Sequence, residues 1–159
     1  MLSVLGIGFK IAAVPMHFYT ADVYQGASAS MAAMLAFVPK TAGFFALLLI
    51  CATTGWFRLG QPGSTLPEPL HEVLWVMAVL TMTIGNVLAV MQRSVKRMLA
   101  SSSIAHSGYM LVGVIAGPGD ESSPFARNGL PAVLFYLLVY GVMTLGAFAV
   151  LACLDRPAQ

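Results

Sequence analysis

The chain has 159 residues, of which 58% are hydrophobic and 9% are charged, and its mean hydropathy is +0.84. A soluble domain carries about a quarter charged residues, so this composition excludes a water-soluble globule. The net charge of +2 is small and scattered, which excludes a nucleic-acid-binding surface. Three uncharged runs, residues 73–92, 98–119 and 128–154, are each long enough to cross a bilayer as one helix. The sequence therefore predicts an all-α polytopic membrane protein.

The first predicted element is a broken helix over residues 1–38. It begins as an apolar helix, and Pro15 is expected to break it because proline has no amide hydrogen and its ring clashes with the preceding turn. A mixed segment over residues 17–28 follows, and residues 29–38 form a second half-helix before Pro39. Irregular backbone at membrane depth is tolerated only where protein or a water-filled cavity satisfies it. The break therefore predicts a polar interior beside it.

Four full spans are predicted after the broken helix. They cover about residues 40–57, 71–91, 96–116 and 130–154. Connections rich in proline and glycine separate them at residues 58–70 and 117–129, and residues 155–159 form a tail. Residues 1–154 are thus expected to form a single bundle of about five transmembrane helices, one of them broken.

The basic residues predict which side of the membrane each loop faces. Arg93, Lys96 and Arg97 lie in the tight connection between two spans, which the positive-inside rule assigns to the cytoplasm. The acidic connections, within residues 58–72 and 117–128, are then expected on the opposite side. The predicted location is a cell inner membrane that the chain crosses several times, bacterial by default, with an organelle membrane as the alternative.

Lys10 and Lys40 are the most informative positions for function. A lysine at bilayer depth costs about 2.5–3.5 kcal/mol on insertion scales and is usually there for a functional reason. Each can also be an anchor at a helix end, with its ammonium reaching the lipid headgroups. The neighbouring broken helix favours function, since discontinuous helices line the hydrated ion sites of transporters. All six acidic residues lie in loops, in the mixed segment or at a span end, so the chain supplies no carboxylate inside a span.

His17 and His106 are the other ionisable candidates. His17 follows Lys10 by seven residues, which is the same face of a helix if the helix continues past Pro15. His106 is centred in its predicted span, behind the serines at 101–103. A lone histidine in an apolar helix is either a hydrogen-bonded interior residue or a proton carrier, and both interpretations stay open. The three histidines lie in three different segments without ligand spacing, so no metal site is predicted.

The segment FKIAAVPMHFYTADVYQGA, at residues 9–27, resembles the proton-channel, antiporter-like subunits of respiratory NADH:quinone oxidoreductase, or complex I. Three more segments follow in the expected order: VPKTAGF at 38–44, NVLAVMQRSVKRMLASSSIAHSGYMLVG at 86–113 and FYLLVYGVMTLGAFAV at 135–150. The phrases DVYQG and SSIAHSGY favour the subunit N family over the related L and M subunits. Tyr19-Thr20-Ala21 departs from the Trp-Thr-Pro that is usual in the family.

The resemblance implies a bundle of inverted repeats, each with one broken helix, of which this chain is a central fragment. It implies that Lys10 and Lys40 carry protons and that His17 and His106 belong to the polar axis of histidines, lysines and water that joins the half-channels. Electron transfer from NADH to quinone drives this proton transfer from other subunits. NAD, FMN, iron–sulfur clusters and quinone are thus expected elsewhere in the complex, and none of them in this chain. The implied partners are the other membrane-arm subunits and the lipid bilayer, with no nucleic acid.

The expected function is therefore part of a proton translocation path in a subunit of NADH:quinone oxidoreductase, an enzyme whose redox chemistry takes place outside this chain. By resemblance, the glutamate that partners the channel lysine belongs to a helix that this chain does not contain. Two alternatives stay open. One is a structural or nonfunctional truncated membrane piece, and the other is a subunit of a cation/proton antiporter or membrane hydrogenase, which share the fold.

Overall fold

The structure is a computed structural model that describes residues 2–56, 66–117 and 129–154. Within these ranges it contains six α-helices, one π-helical turn and no strand, which confirms the predicted all-α fold. The elements are α1 (Leu2–Lys10), α2 (Thr20–Gly26), α3 (Ala29–Cys51), the π-helical turn (Ala52–Trp56), α4 (Glu68–Met91), α5 (Val95–Ala116) and α6 (Gly129–Leu154). Most of each predicted connection, and the whole predicted tail, lies outside the described residues, at 57–65, 118–128 and 155–159.

Four of these helices are long and apolar enough to cross a membrane, namely α3 with its extension to Thr54, α4, α5 and α6. Helix α5 is the least apolar of the four and also the most buried, because it packs against α2, α3, α4 and α6. Its serines and its histidine therefore face protein on several sides. The polar groups of the bundle are concentrated around this central helix.

The break in the first helix begins earlier than Pro15. Helix α1 ends at Lys10, and the chain is irregular over residues 11–19 before α2 begins at Thr20. Ala12 adopts a positive φ of 57°, a conformation that a non-glycine residue rarely takes. The broken helix thus consists of two short helices, α1 and α2, on either side of an unwound segment (residues 11–19).

The prediction that Pro39 separates a half-helix from the next span is wrong. Helix α3 starts at Ala29, where the Ser28 hydroxyl accepts a hydrogen bond from the Met31 amide at 3.4 Å, and it runs through Pro39 without interruption. Proline is tolerated in transmembrane helices because neighbouring helices and local hydroxyl groups satisfy the backbone that it disturbs. Two residues after the proline, the Thr41 hydroxyl donates a hydrogen bond to a backbone carbonyl one turn earlier. Lys40 therefore lies well inside a continuous helix.

Side chains of α4 and α5 satisfy the backbone of the unwound segment. The Ser107 hydroxyl donates a hydrogen bond to the Ile11 carbonyl at 2.8 Å. The Val14 amide donates a hydrogen bond to the Thr81 hydroxyl at 3.0 Å. All four residues are buried. Helices α4 and α5 thus supply the partners that irregular backbone requires at membrane depth.

Helices α4 and α5 approach closely because glycines remove side chains from both contact surfaces. A Cβ atom built on Gly85 of α4 would lie 2.6 Å from the backbone nitrogen of Ala105. A Cβ atom built on Gly108 of α5 would lie 2.8 Å from the backbone nitrogen of Met82. Small residues allow this kind of backbone approach between membrane helices. The close packing fixes the position of α5, which carries the polar groups described next.

Candidate functional site

Lys40 is buried in the interior of the bundle, with 4% of its surface exposed. Its ammonium donates hydrogen bonds to the backbone carbonyl and to the hydroxyl of Ser103 on α5, both at 2.5 Å. The ammonium also lies 4.9 Å from the centre of the Tyr140 ring on α6, within the range of a cation–π interaction. These contacts place the ammonium between helices, where a side chain that anchors a helix to the lipid headgroups would not lie.

Lys10 is the last residue of α1, and it shares a cleft with Lys40. The cleft has a volume of about 350 Å³, and Tyr19, Thr20 and Ser103 also line it. Lys10 is exposed in this chain, unlike Lys40. Two lysines and several hydroxyl groups therefore face one space that is large enough to hold water molecules.

His106 is a second ionisable residue that contacts the Tyr140 ring. Its Nδ1 atom is 2.6 Å from the hydroxyl oxygen of Tyr136, which is a hydrogen bond. The ring centres of His106 and Tyr140 are 5.1 Å apart, and Tyr109 approaches the imidazole edge-on at 5.7 Å. Because Lys40 and His106 both contact the Tyr140 ring, that tyrosine connects the two ionisable groups.

His17 lies in the unwound segment and is half-buried. Its Nδ1 atom is shielded from solvent and has no hydrogen-bond partner among the described residues. His17 is also not among the described residues that line the cleft. The structure thus brings Lys10 together with Lys40 at the cleft and Lys40 together with His106 at Tyr140, but it does not bring His17 to either place.

The sequence interpretation missed Ser103, Tyr136 and Tyr140 as parts of this site. A usable signal was present in the last span, where Tyr136, Tyr140 and Thr144 recur every four residues in an otherwise apolar helix. That spacing places their hydroxyl groups on one face. Tyr140 and Thr144 are indeed buried. For Ser103 the sequence offers no such signal, since Ser101 and Ser102 directly precede it and only the packing of α5 selects among them.

The arrangement can hold and pass protons. Lysine and histidine both take up and release protons, and hydroxyl groups accept and donate hydrogen bonds at the same time. Lys40, Ser103 and the cleft form one such group, and His106 with Tyr136 forms a second. Tyr140 contacts both groups, and its buried hydroxyl has no hydrogen-bond partner among the described residues.

Residues 1–156 match the family model that describes the transmembrane region of NADH:quinone oxidoreductase and Mrp antiporters. The chain belongs to this NADH:quinone oxidoreductase/Mrp antiporter family. The resemblance seen in the sequence motifs is thus confirmed. The family description covers both oxidoreductase and antiporter proteins.

Within the family, the chain is similar to curated proteins named subunit N. The chain is 44% identical over 153 residues to NADH-quinone oxidoreductase subunit N of Bdellovibrio bacteriovorus, covering 96% of this chain and 29% of that protein. It is also 44% identical over 160 residues to subunit N of Beutenbergia cavernae, covering all of this chain and 27% of that protein. The chain therefore spans less than a third of the length of the curated relatives it matches.

A solved structure has the same fold. A chain of respiratory complex I from Thermus thermophilus, determined with bound aureothin, superposes with a TM-score of 0.71 at 36% sequence identity. The match covers 94% of this chain and 28% of the Thermus chain. The chain therefore has the fold of part of a chain of respiratory complex I.

Proposed function

We propose that this chain forms part of a proton path in a subunit N of a proton-pumping NADH:quinone oxidoreductase. Lys10 and Lys40 take up and release the proton in the cleft, and His106, which contacts the same Tyr140 ring as Lys40, receives it. His17 is the fourth position of the path, at the unwound segment. The observation that carries the proposal is Lys40 itself, a cation buried between helices and held by Ser103. Charged groups in such positions mark ion and proton pathways.

The partners in this proposal are the other membrane-arm subunits of the complex and the lipid bilayer. Several large apolar side chains of α6 are exposed in this chain, among them Phe135, Leu138 and Val142. Such a surface is stable against lipid or against neighbouring helices, and not against water. The membrane is the inner membrane of a bacterium, and the relatives named subunit N favour NADH-driven pumping over antiport.

The first test replaces each lysine separately with alanine in the complete subunit, within the assembled complex. We expect Lys10→Ala and Lys40→Ala each to slow NADH-driven acidification of sealed membrane vesicles, because each removes one proton-carrying group. Arg93→Ala is the matched control, since Arg93 is an exposed cation between α4 and α5. The control should leave the rate unchanged. Equal rates in all three variants and the unaltered complex would refute the proposal.

A second test concerns the partner of His106. We expect Tyr136→Phe to slow proton translocation about fivefold, the effect of one lost hydrogen bond, because the hydrogen bond between the tyrosine hydroxyl and Nδ1 orients the imidazole. Tyr109→Phe is the control, since the Tyr109 ring also contacts His106 but its hydroxyl bonds to Asn86 on α4. Vesicle acidification measures both variants. If Tyr109→Phe slowed the rate as much as Tyr136→Phe, the assigned role of the Tyr136 hydroxyl would be wrong.

A further inference from the structure

The Ile11 carbonyl needs a hydrogen-bond donor that its own helix does not supply. In a continuous helix this carbonyl would accept from the amide of residue 15, four positions later. Residue 15 is proline, which has no amide hydrogen. Ile11 is 1% exposed, so its carbonyl is shielded from bulk solvent and needs a donor from a neighbouring group. The Ser107 hydroxyl of α5 supplies the bond at 2.8 Å.

The same hydroxyl has a second acceptor within reach. The Ser107 oxygen lies 3.3 Å from the Ser103 carbonyl, one turn earlier in α5. Serine commonly bonds to this carbonyl inside a helix. A hydroxyl has one proton, so at any moment it donates fully to one acceptor. The Ser107 hydroxyl therefore donates its hydrogen bond either to the unwound segment or to its own helix.

Lys40 occupies the acceptor for which Ser107 competes. Its ammonium donates to the Ser103 carbonyl at 2.5 Å, which is much closer than the Ser107 hydroxyl. A carbonyl oxygen has two lone pairs, and inside α5 one of them accepts the backbone amide four residues later. While the Lys40 ammonium takes the other, the favoured acceptor for the Ser107 hydroxyl is Ile11. When the Lys40 side chain moves away, the Ser103 carbonyl becomes free to attract the Ser107 hydroxyl; loss of the proton alone weakens the bond from Lys40, because a neutral amine is a weaker donor. The Ile11 carbonyl, next to Lys10, then loses its donor.

We propose that Ser107 is a positioning residue that links Lys40 to the unwound segment through this choice of acceptor. The lysine in α3 then controls how firmly residues 11–19 are held, and thereby the backbone beside Lys10. The inference rests on the proposed function in one respect, namely that Lys40 changes its protonation or position during turnover. The hydrogen-bond geometry itself is independent of that proposal.

The test is a double-mutant cycle in the complete subunit within the assembled complex in lipid nanodiscs. Hydrogen–deuterium exchange of the peptide that contains residues 11–19 measures how firmly the segment is held. We expect Lys40→Met to speed exchange about fivefold, the effect of one lost hydrogen bond, and Ser107→Ala to do the same. Because both variants release the same bond, Lys40→Met should cause no further increase when Ser107 is already alanine.

Thr81→Val is the matched control. Thr81 holds the same segment through the Val14 amide, but its hydroxyl donates to Met77 on its own helix, and no hydrogen bond joins it to Lys40 in the described residues. Thr81→Val should speed exchange, and Lys40→Met should then add its full fivefold effect. If Ser107→Ala does not assemble, Ser107→Cys takes its place, since a thiol of similar size is a weak donor.

Two outcomes would overturn the link. One is a full fivefold effect of Lys40→Met in the Ser107→Ala background, and the other is no effect of Lys40→Met when Ser107 is present. Neither result bears on the proposed proton path, because vesicle acidification tests that proposal separately. Conversely, normal acidification with Lys40→Met would refute the proton path while a non-additive exchange cycle still supported the link.

Discussion

Replacing Lys40 with arginine should slow proton translocation about as strongly as replacing it with methionine. Arginine keeps the positive charge and the donors that reach Ser103, but its guanidinium does not release a proton in proteins. Methionine fills a similar volume and carries no proton. Removing a positioned proton-transferring group slows the step it serves by about 10²-fold or more. The initial rate of NADH-driven vesicle acidification measures the effect.

Arginine and methionine together separate a proton carrier from a structural cation. If the bundle needs only a buried positive charge over Tyr140, arginine should preserve pumping and methionine should abolish it. Arg93→Lys, at the exposed turn before α5, controls for the exchange of one basic residue for the other and should have no effect. Near-normal pumping with Lys40→Arg would therefore show that Lys40 supports the fold and does not carry the proton.

Adding a single methyl group at Gly108 should destabilise the bundle by about 1–3 kcal/mol, the usual effect of overpacking. The new Cβ atom would lie 2.8 Å from the Met82 nitrogen and 3.2 Å from the Ala78 carbonyl oxygen. These are backbone atoms, so α4 and α5 must separate to accommodate the change. Heat-induced loss of the assembled complex, compared between Gly108→Ala and the unaltered chain, measures the difference.

Gly146→Ala is the control for this substitution. Gly146 is exposed on α6, and an added Cβ atom would meet nothing within 4 Å. Alanine is a better helix former than glycine by about 0.5–1 kcal/mol, so this variant should be as stable as the unaltered chain or slightly more stable. If Gly108→Ala were as well tolerated as Gly146→Ala, the close approach of α4 and α5 would not be what holds α5 in place.

The sequence predicted the helices well because lipid imposes a simple rule on them. An uncharged run of about 20 residues has to be helical to satisfy its own backbone, so α4, α5 and α6 could be located from charge and hydropathy. Pro39 was misleading for the same reason. Proline removes one backbone hydrogen bond of a helix, and in water the freed carbonyl can bond to solvent, so the helix often ends there. Inside a membrane bundle, neighbouring groups satisfy the backbone, and α3 continues through Pro39.

The chemistry around Lys40 was only partly predictable. Lys40 itself stands out in the sequence because a charge in an apolar run is expensive. Its partners do not, since the choice of Ser103 over Ser101 or Ser102 depends on how α5 is rotated against α3. That rotation follows from the contact of α4 and α5 at their glycines, which links residues far apart in sequence.

The broken helix shows the same division between local and tertiary information. Pro15 predicts a break, and the unwound segment indeed contains it. The start of that segment at residue 11 was not predictable, because it depends on donors and acceptors from other helices. Ser107 and Thr81 make the unwound backbone stable at that place, and neither is near it in sequence.

The number of protons translocated per NADH oxidised tests most directly whether Lys10 and Lys40 carry protons. The measurement uses sealed vesicles that contain the assembled complex, with both lysines replaced by alanine in the complete subunit. We predict a lower ratio than in the unaltered complex, because the path through this chain loses both of its lysines. A ratio equal to that of the unaltered complex would contradict the proposed proton path.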